Sequence, residues 1–134
     1  MRMTDCFSET VAYVSYFLSS KGNNQVSFDQ LIADVRRLLK ESENFVKKEL
    51  VNQEDYDQAR FAICAWIDEA VLSSDWHDKG RWQLAPLQRE YYQTADAGVE
   101  FYQRLNNLGL QQGDVREVYY LCLAIGFKGR YCQE

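Results

Sequence analysis

Proline occurs once in these 134 residues, at Pro86, and histidine once, at His77. With one proline and little β-branched alternation, long helices can run unbroken, and strand signals are scarce. One imidazole and four cysteines (Cys6, Cys64, Cys122, Cys132), none spaced as CxxC, argue against a structural zinc site. No basic run exceeds two residues (Arg36-Arg37 and Lys47-Lys48), and the net charge is −5. Nucleic acid and anionic lipid both need a basic patch, so neither suits this chain as a partner. No GxGxxG, GxxxxGK[ST] or GxSxG stretch occurs, which leaves nucleotide binding and a nucleophile elbow without support. The longest apolar run, Val118 to Phe127, is about half of the roughly 20 residues a membrane span requires. The start of the chain lacks a signal-peptide pattern, so the cysteines are read as reduced and cytosolic.

Hydrophobic residues make up 46% and charged residues 26%, the balance of a soluble globular protein. Period-3.6 patterns dominate and predict an all-α domain of six to eight helices spanning 1–134. The first helix is expected from Thr4 to Ser20, ended by the polar turn Lys21-Gly22-Asn23-Asn24. Ser27 and Gln30 have capping-box spacing and open a second helix as far as Leu50, either one long helix or two shorter ones broken near Glu43, a single or kinked helix being preferred. Asn52 caps a third, extending to about Ser73, apolar over most of its circumference and therefore central. Residues 74 to 86 read as a loop, with a short helix starting near Pro86. A further helix covers Ala97 to Leu108. The last is capped by Asp114 with Glu117 and stops at Gly126.

The central helix carries an acidic pair, Asp68-Glu69, within "ICAWIDEAVLSSDW". Helix neighbours point about 100° apart, so the two carboxyls do not converge on one atom as an acid/base pair must. No Glu-x-x-His motif accompanies them. The simplest role is structural, one acid facing solvent and the other paired with Arg60, Arg81, Arg89 or Arg130. A catalytic use with His77 is the alternative, which an exposed His77 distant from both acids would remove. Trp76 and Trp82 flank a polar loop, either as plugs between helical groups or as exposed partner anchors. "FKGRY" reads as a post-helix turn. Gly126 and Gly129 permit tight geometry there, and Phe127 and Tyr131 pack back beside Arg130.

Four ordered segments carry a resemblance. They are "ARFAICAWIDEAVLSSDW" (59–76), the tryptophan at 82, "PLQREYYQTADAGVEFYQRL" (86–105) and "EVYYLCLAIGFKGRY" (117–131). Together they resemble the DotU/TssL family, also called IcmH, of bacterial type VI and type IVB secretion systems. The resemblance implies two small packed helical bundles with a cleft between them, no enzymatic activity, no cofactor and no small-molecule substrate. It implies a single C-terminal inner-membrane anchor, expected after Glu134, with this domain on the cytoplasmic side. The implied partners are an IcmF/TssM-type inner-membrane protein, secretion baseplate subunits and, through the full-length protein, a second copy. Asp68, Glu69, Trp76 and Trp82 are then expected at the cleft, with Asp68→Ala or Glu69→Ala weakening partner recruitment in a domain that still folds. The motifs do not separate type VI from type IVB.

Overall fold

A computed structural model describes residues 1–19 and 25–129, and among these every regular element is helical. A 3-10 turn, Met3–Phe7, leads into α1 (Ser8–Ser19). Next come α2 (Phe28–Ser42), α3 (Asn44–Lys47), α4 (Gln53–Leu72), α5 (Lys79–Leu84), α6 (Leu87–Tyr92) and α7 (Ala97–Asn106). A second 3-10 turn, Leu110–Gln112, precedes α8 (Gly113–Ala124). The turn expected at 21–24, and Arg130, Tyr131 and Cys132, lie outside the described residues.

Local chemistry sets these boundaries. The Ser27 hydroxyl accepts the Gln30 N–H, and the Asn52 side chain accepts the Asp55 N–H, so both expected caps form. The second helix does not continue past Glu43. It breaks there, and α3 closes with Glu49 in the left-handed region (φ 61°), its N–H and that of Leu50 turning back to Val46 and Phe45 carbonyls. The stretch expected as a loop contains α5, a single-turn element that a short polar sequence with one glycine signals poorly. The last helix begins at Gly113 with Gln112 at its cap, two residues earlier than a cap at Asp114 implies, so Asp114 lies inside its first turn. It ends in a Schellman turn: Phe127 N–H donates to Cys122 O, Gly126 N–H to Leu123 O, and Gly126 takes φ +114°.

One continuous core links the elements. Helix α4 is its axis, packing against the first 3-10 turn, α1, α5, α6, α7 and α8. The helix buries Tyr56, Ala59, Phe61 to Asp68, and Val71, which explains why its sequence is apolar nearly all round. Cys64 and Cys122 sit fully inside, as small hydrophobes whose thiols burial pushes up from their ordinary range. A cleft of ≈ 260 Å³ opens between Leu18 at the end of α1, Trp66 and Glu69 of α4, and Ile125 to Lys128 after α8.

Candidate functional site

Asp68 is 1% exposed, and among the described residues no cation meets it. One carboxylate oxygen accepts Trp82 Nε1–H (2.8 Å) and Leu87 N–H (2.9 Å). The other accepts Gln88 N–H (2.9 Å) and the Gln88 side-chain amide (3.1 Å). The reason lies in α6. Pro86 occupies its N-cap and offers no side-chain acceptor, so the first helical N–H groups need one from elsewhere. Asp68 supplies it from α4 at a helix terminus whose dipole favours negative charge. Gln88 passes the tie onward, its Oε1 accepting Ala97 N–H at the start of α7 (3.0 Å). Burial pushes the Asp68 carboxyl up from its ordinary range, and the N–H donors of Gln88, Trp82 and Leu87 oppose that shift.

Glu69 points another way. Its two oxygens accept Lys128 N–H and Gly129 N–H, each at 2.8 Å. Tyr102 of α7 holds the same segment from the opposite polarity, its hydroxyl donating to Lys128 O at 2.5 Å. Gly129 has φ +65°, and a β-carbon there would stand 2.7 Å from Gly98 O and from the Tyr102 ring. Only glycine fits that place. Phe127 folds back and is buried, its ring 4.2 Å from that of Phe101.

The arginine pairing expected for one of the two acids is not found among the described residues, where N–H donors take its place. Arg60 bonds Tyr92 and meets Glu43 and Asp57, Arg81 meets Asp29, and Arg89 bonds Leu84 O. Arg130 lies outside the described residues. The physical reason is that N–H groups left unpaired at the start of α6 and in the turn after α8 satisfy a carboxylate without burying a second ion.

Both tryptophans are plugs rather than exposed anchors. Trp76 is 1% exposed, donates Nε1–H to Val26 O (2.8 Å) and meets the Phe17 ring edge-on. Trp82 is fully buried between Asp68 and Phe28. His77 is exposed, with Nε2 3.5 Å from Asp78 and its ring against Trp76. Every oxygen of Asp68 and Glu69 already accepts an N–H, so the constellation of Asp68, Glu69 and His77 is not assembled. Among the described residues, no group of three or more His, Cys, Asp and Glu is placed to hold a metal ion.

The sequence reading missed Gln88, Tyr102 and the amides of Lys128 and Gly129. Gln88 was findable in principle: a helix opened by proline lacks a side-chain cap, and a buried aspartate lacks donors.

A family model described as "Type VI secretion system protein DotU" matches residues 2–134. The chain belongs to the DotU family. Among solved structures, this DotU-family chain is similar to the cytoplasmic domain of TssL from Acinetobacter baumannii, with a TM-score of 0.85 and 24% identity. The match covers 100% of this chain and 87% of that one, and the two share a fold. No curated protein sequence matches. The description that the family model carries makes the chain a component of type VI secretion.

Proposed function

We propose that this domain is a non-enzymatic adaptor of the type VI secretion membrane complex. It stands on the cytoplasmic face of the inner membrane, tethered by a C-terminal anchor in the full-length protein. It docks an IcmF/TssM-type inner-membrane protein and, with it, baseplate subunits. The cleft beside Glu69 receives the first of these partners; Asp68, Trp76 and Trp82, expected at the cleft, are not among the residues that line it and brace the helices instead. The observation that carries this reading is the use of the acidic pair: buried Asp68 and half-buried Glu69 spend their oxygens on N–H donors, backbone amides on every one of the four. They brace an interaction scaffold, and neither carboxylate is left open to act as a base. Membership of a secretion family over nearly the whole chain supports the same conclusion.

The test is co-purification of the chain with the cytoplasmic part of the IcmF/TssM-type protein of its own secretion system. The expected result is a stable complex that Ser73→Arg, at the cleft rim, disrupts while leaving the melting temperature unchanged. Absence of a complex with the wild-type chain would overturn the reading.

A further inference from the structure

Six large hydrophobic side chains are exposed among the described residues, and they are not scattered evenly. Met1 (62%) and Leu50 (49%) line one groove of ≈ 490 Å³, between the first 3-10 turn and the α3–α4 connection. Leu110, 98% exposed, sits next in the chain to Gln111 on the same wall. Val46 and Val51 give the groove an apolar floor. Among the described residues its charged side chains are all of one sign: Glu49, Asp55 and Asp114 line it, Glu54 follows in the adjoining recess, and no Lys, Arg or His side chain lines either. Among the described residues no ion pair reaches Glu49, Glu54 or Asp114. Arg2 lies within electrostatic reach of Asp114 but gives its guanidinium to Glu117.

Three of these acids have a local reason to be there. Glu54 and Asp55 open α4, and Asp114 opens α8, where the helix dipole favours them. Glu49 has none. It occupies the left-handed position closing α3, where glycine is at ease and a side chain is not.

We propose that this groove binds a cationic, apolar segment of a partner protein, with one or two large apolar side chains seated on Val46, Leu50 and Val51 and flanking Lys or Arg side chains met by Glu49, Glu54 and Asp114. Charge complementarity selects that occupant. An anionic membrane surface would be repelled from this face, and a second copy of the chain, itself at −5, would bring like charge to it. The choice of a protein partner rests on the adaptor reading above. The groove is lined by none of the residues that line the Glu69 cleft, so the two surfaces can be occupied together.

The test uses two labelled peptides of about twelve residues, with leucines at helical spacing and either lysine or glutamate at every charged position. The lysine peptide is expected to bind the chain, more weakly as salt rises. The double variant Glu49→Lys/Asp114→Lys is expected to lose at least about tenfold in affinity. Asp75→Lys, an exposed acid outside the groove, should bind as wild type does. Amide shifts on titration should centre on Leu50 and Gln111. If the double variant unfolds, Glu49→Gln/Asp114→Asn carries the same test with a smaller loss. Equal binding of the two peptides, unchanged binding by either double variant, or a concentration-dependent dimer abolished by it would overturn the proposal. Loss of the co-purified complex above, with this result intact, would remove the adaptor reading and leave the groove. The converse would remove the groove alone.

Discussion

Acidic side chains serve opposite ends in two regions of this molecule. At the middle of α4, Asp68 and Glu69 are saturated, six N–H donors meeting their four oxygens. At the entrance to α4, Glu49 and Glu54 stand in the open, without a cation among the described residues. A carboxylate whose lone pairs are all used is a structural part, however suggestive its neighbours. An unpaired one beside exposed leucines is available to another molecule. Adjacency in sequence says little here, because Asp68 and Glu69 serve separate backbones: the start of α6 and the turn after α8.

Substitutions sharpen that contrast, the greatest cost falling in the core. Asp68→Ala orphans Trp82 Nε1–H and the Leu87 and Gln88 N–H groups in a dry site. It should cost about 3 to 5 kcal/mol by urea denaturation. The expectation that this variant folds normally and fails only in recruitment does not suit a side chain so buried, and wild-type stability for Asp68→Ala would break the comparison. Gly129→Ala comes next, about 2 to 3 kcal/mol, since both the left-handed backbone and the Gly98 carbonyl oppose a β-carbon. Glu69→Gln should cost about 1 to 2 kcal/mol, because one amide N–H would face another N–H. Glu49→Gly has the reverse sign: about 0.5 to 1 kcal/mol of added stability from relieved backbone strain, with weaker binding of the lysine peptide. Loss of stability there would show that Glu49 is structural after all.

The smallest effect concerns Asp34, an intermediate case that takes hydrogen bonds from Tyr13 and Gln30 at a half-open site. The Tyr13 hydroxyl, then Gln30, holds the Asp34 carboxyl below its ordinary range. Stability from this group is therefore present above the unfolded pKa of about 4 and is lost as pH falls through the lower folded value. Tyr13→Phe should raise the Asp34 pKa by NMR titration and flatten the acid limb of the stability curve.

The all-α class, the caps at Ser27 and Asn52, the centrality of α4 and the stop at Gly126 were all legible in the sequence. Each rests on local periodicity or on a side chain bonding its own helix end. What was not legible depends on contacts distant in sequence. The break at Glu43 puts a non-glycine residue six positions later in a left-handed conformation, which no local propensity favours. Helix α5 is too short for a periodic signal and is held by Trp82 reaching Asp68. The acidic pair stands out in the sequence, but arginines are the partners that a sequence suggests for it. Backbone N–H groups carry no letter in a sequence, so Leu87, Gln88, Lys128 and Gly129 stayed invisible as ligands for carboxylate.

The claim that the acidic pair is two independent backbone clamps is tested most directly by amide hydrogen exchange in Glu69→Ala. The account predicts that Lys128 and Gly129 lose protection while Leu87 and Gln88 keep theirs. Unchanged protection at Lys128 and Gly129, or equal loss at all four amides, would contradict it.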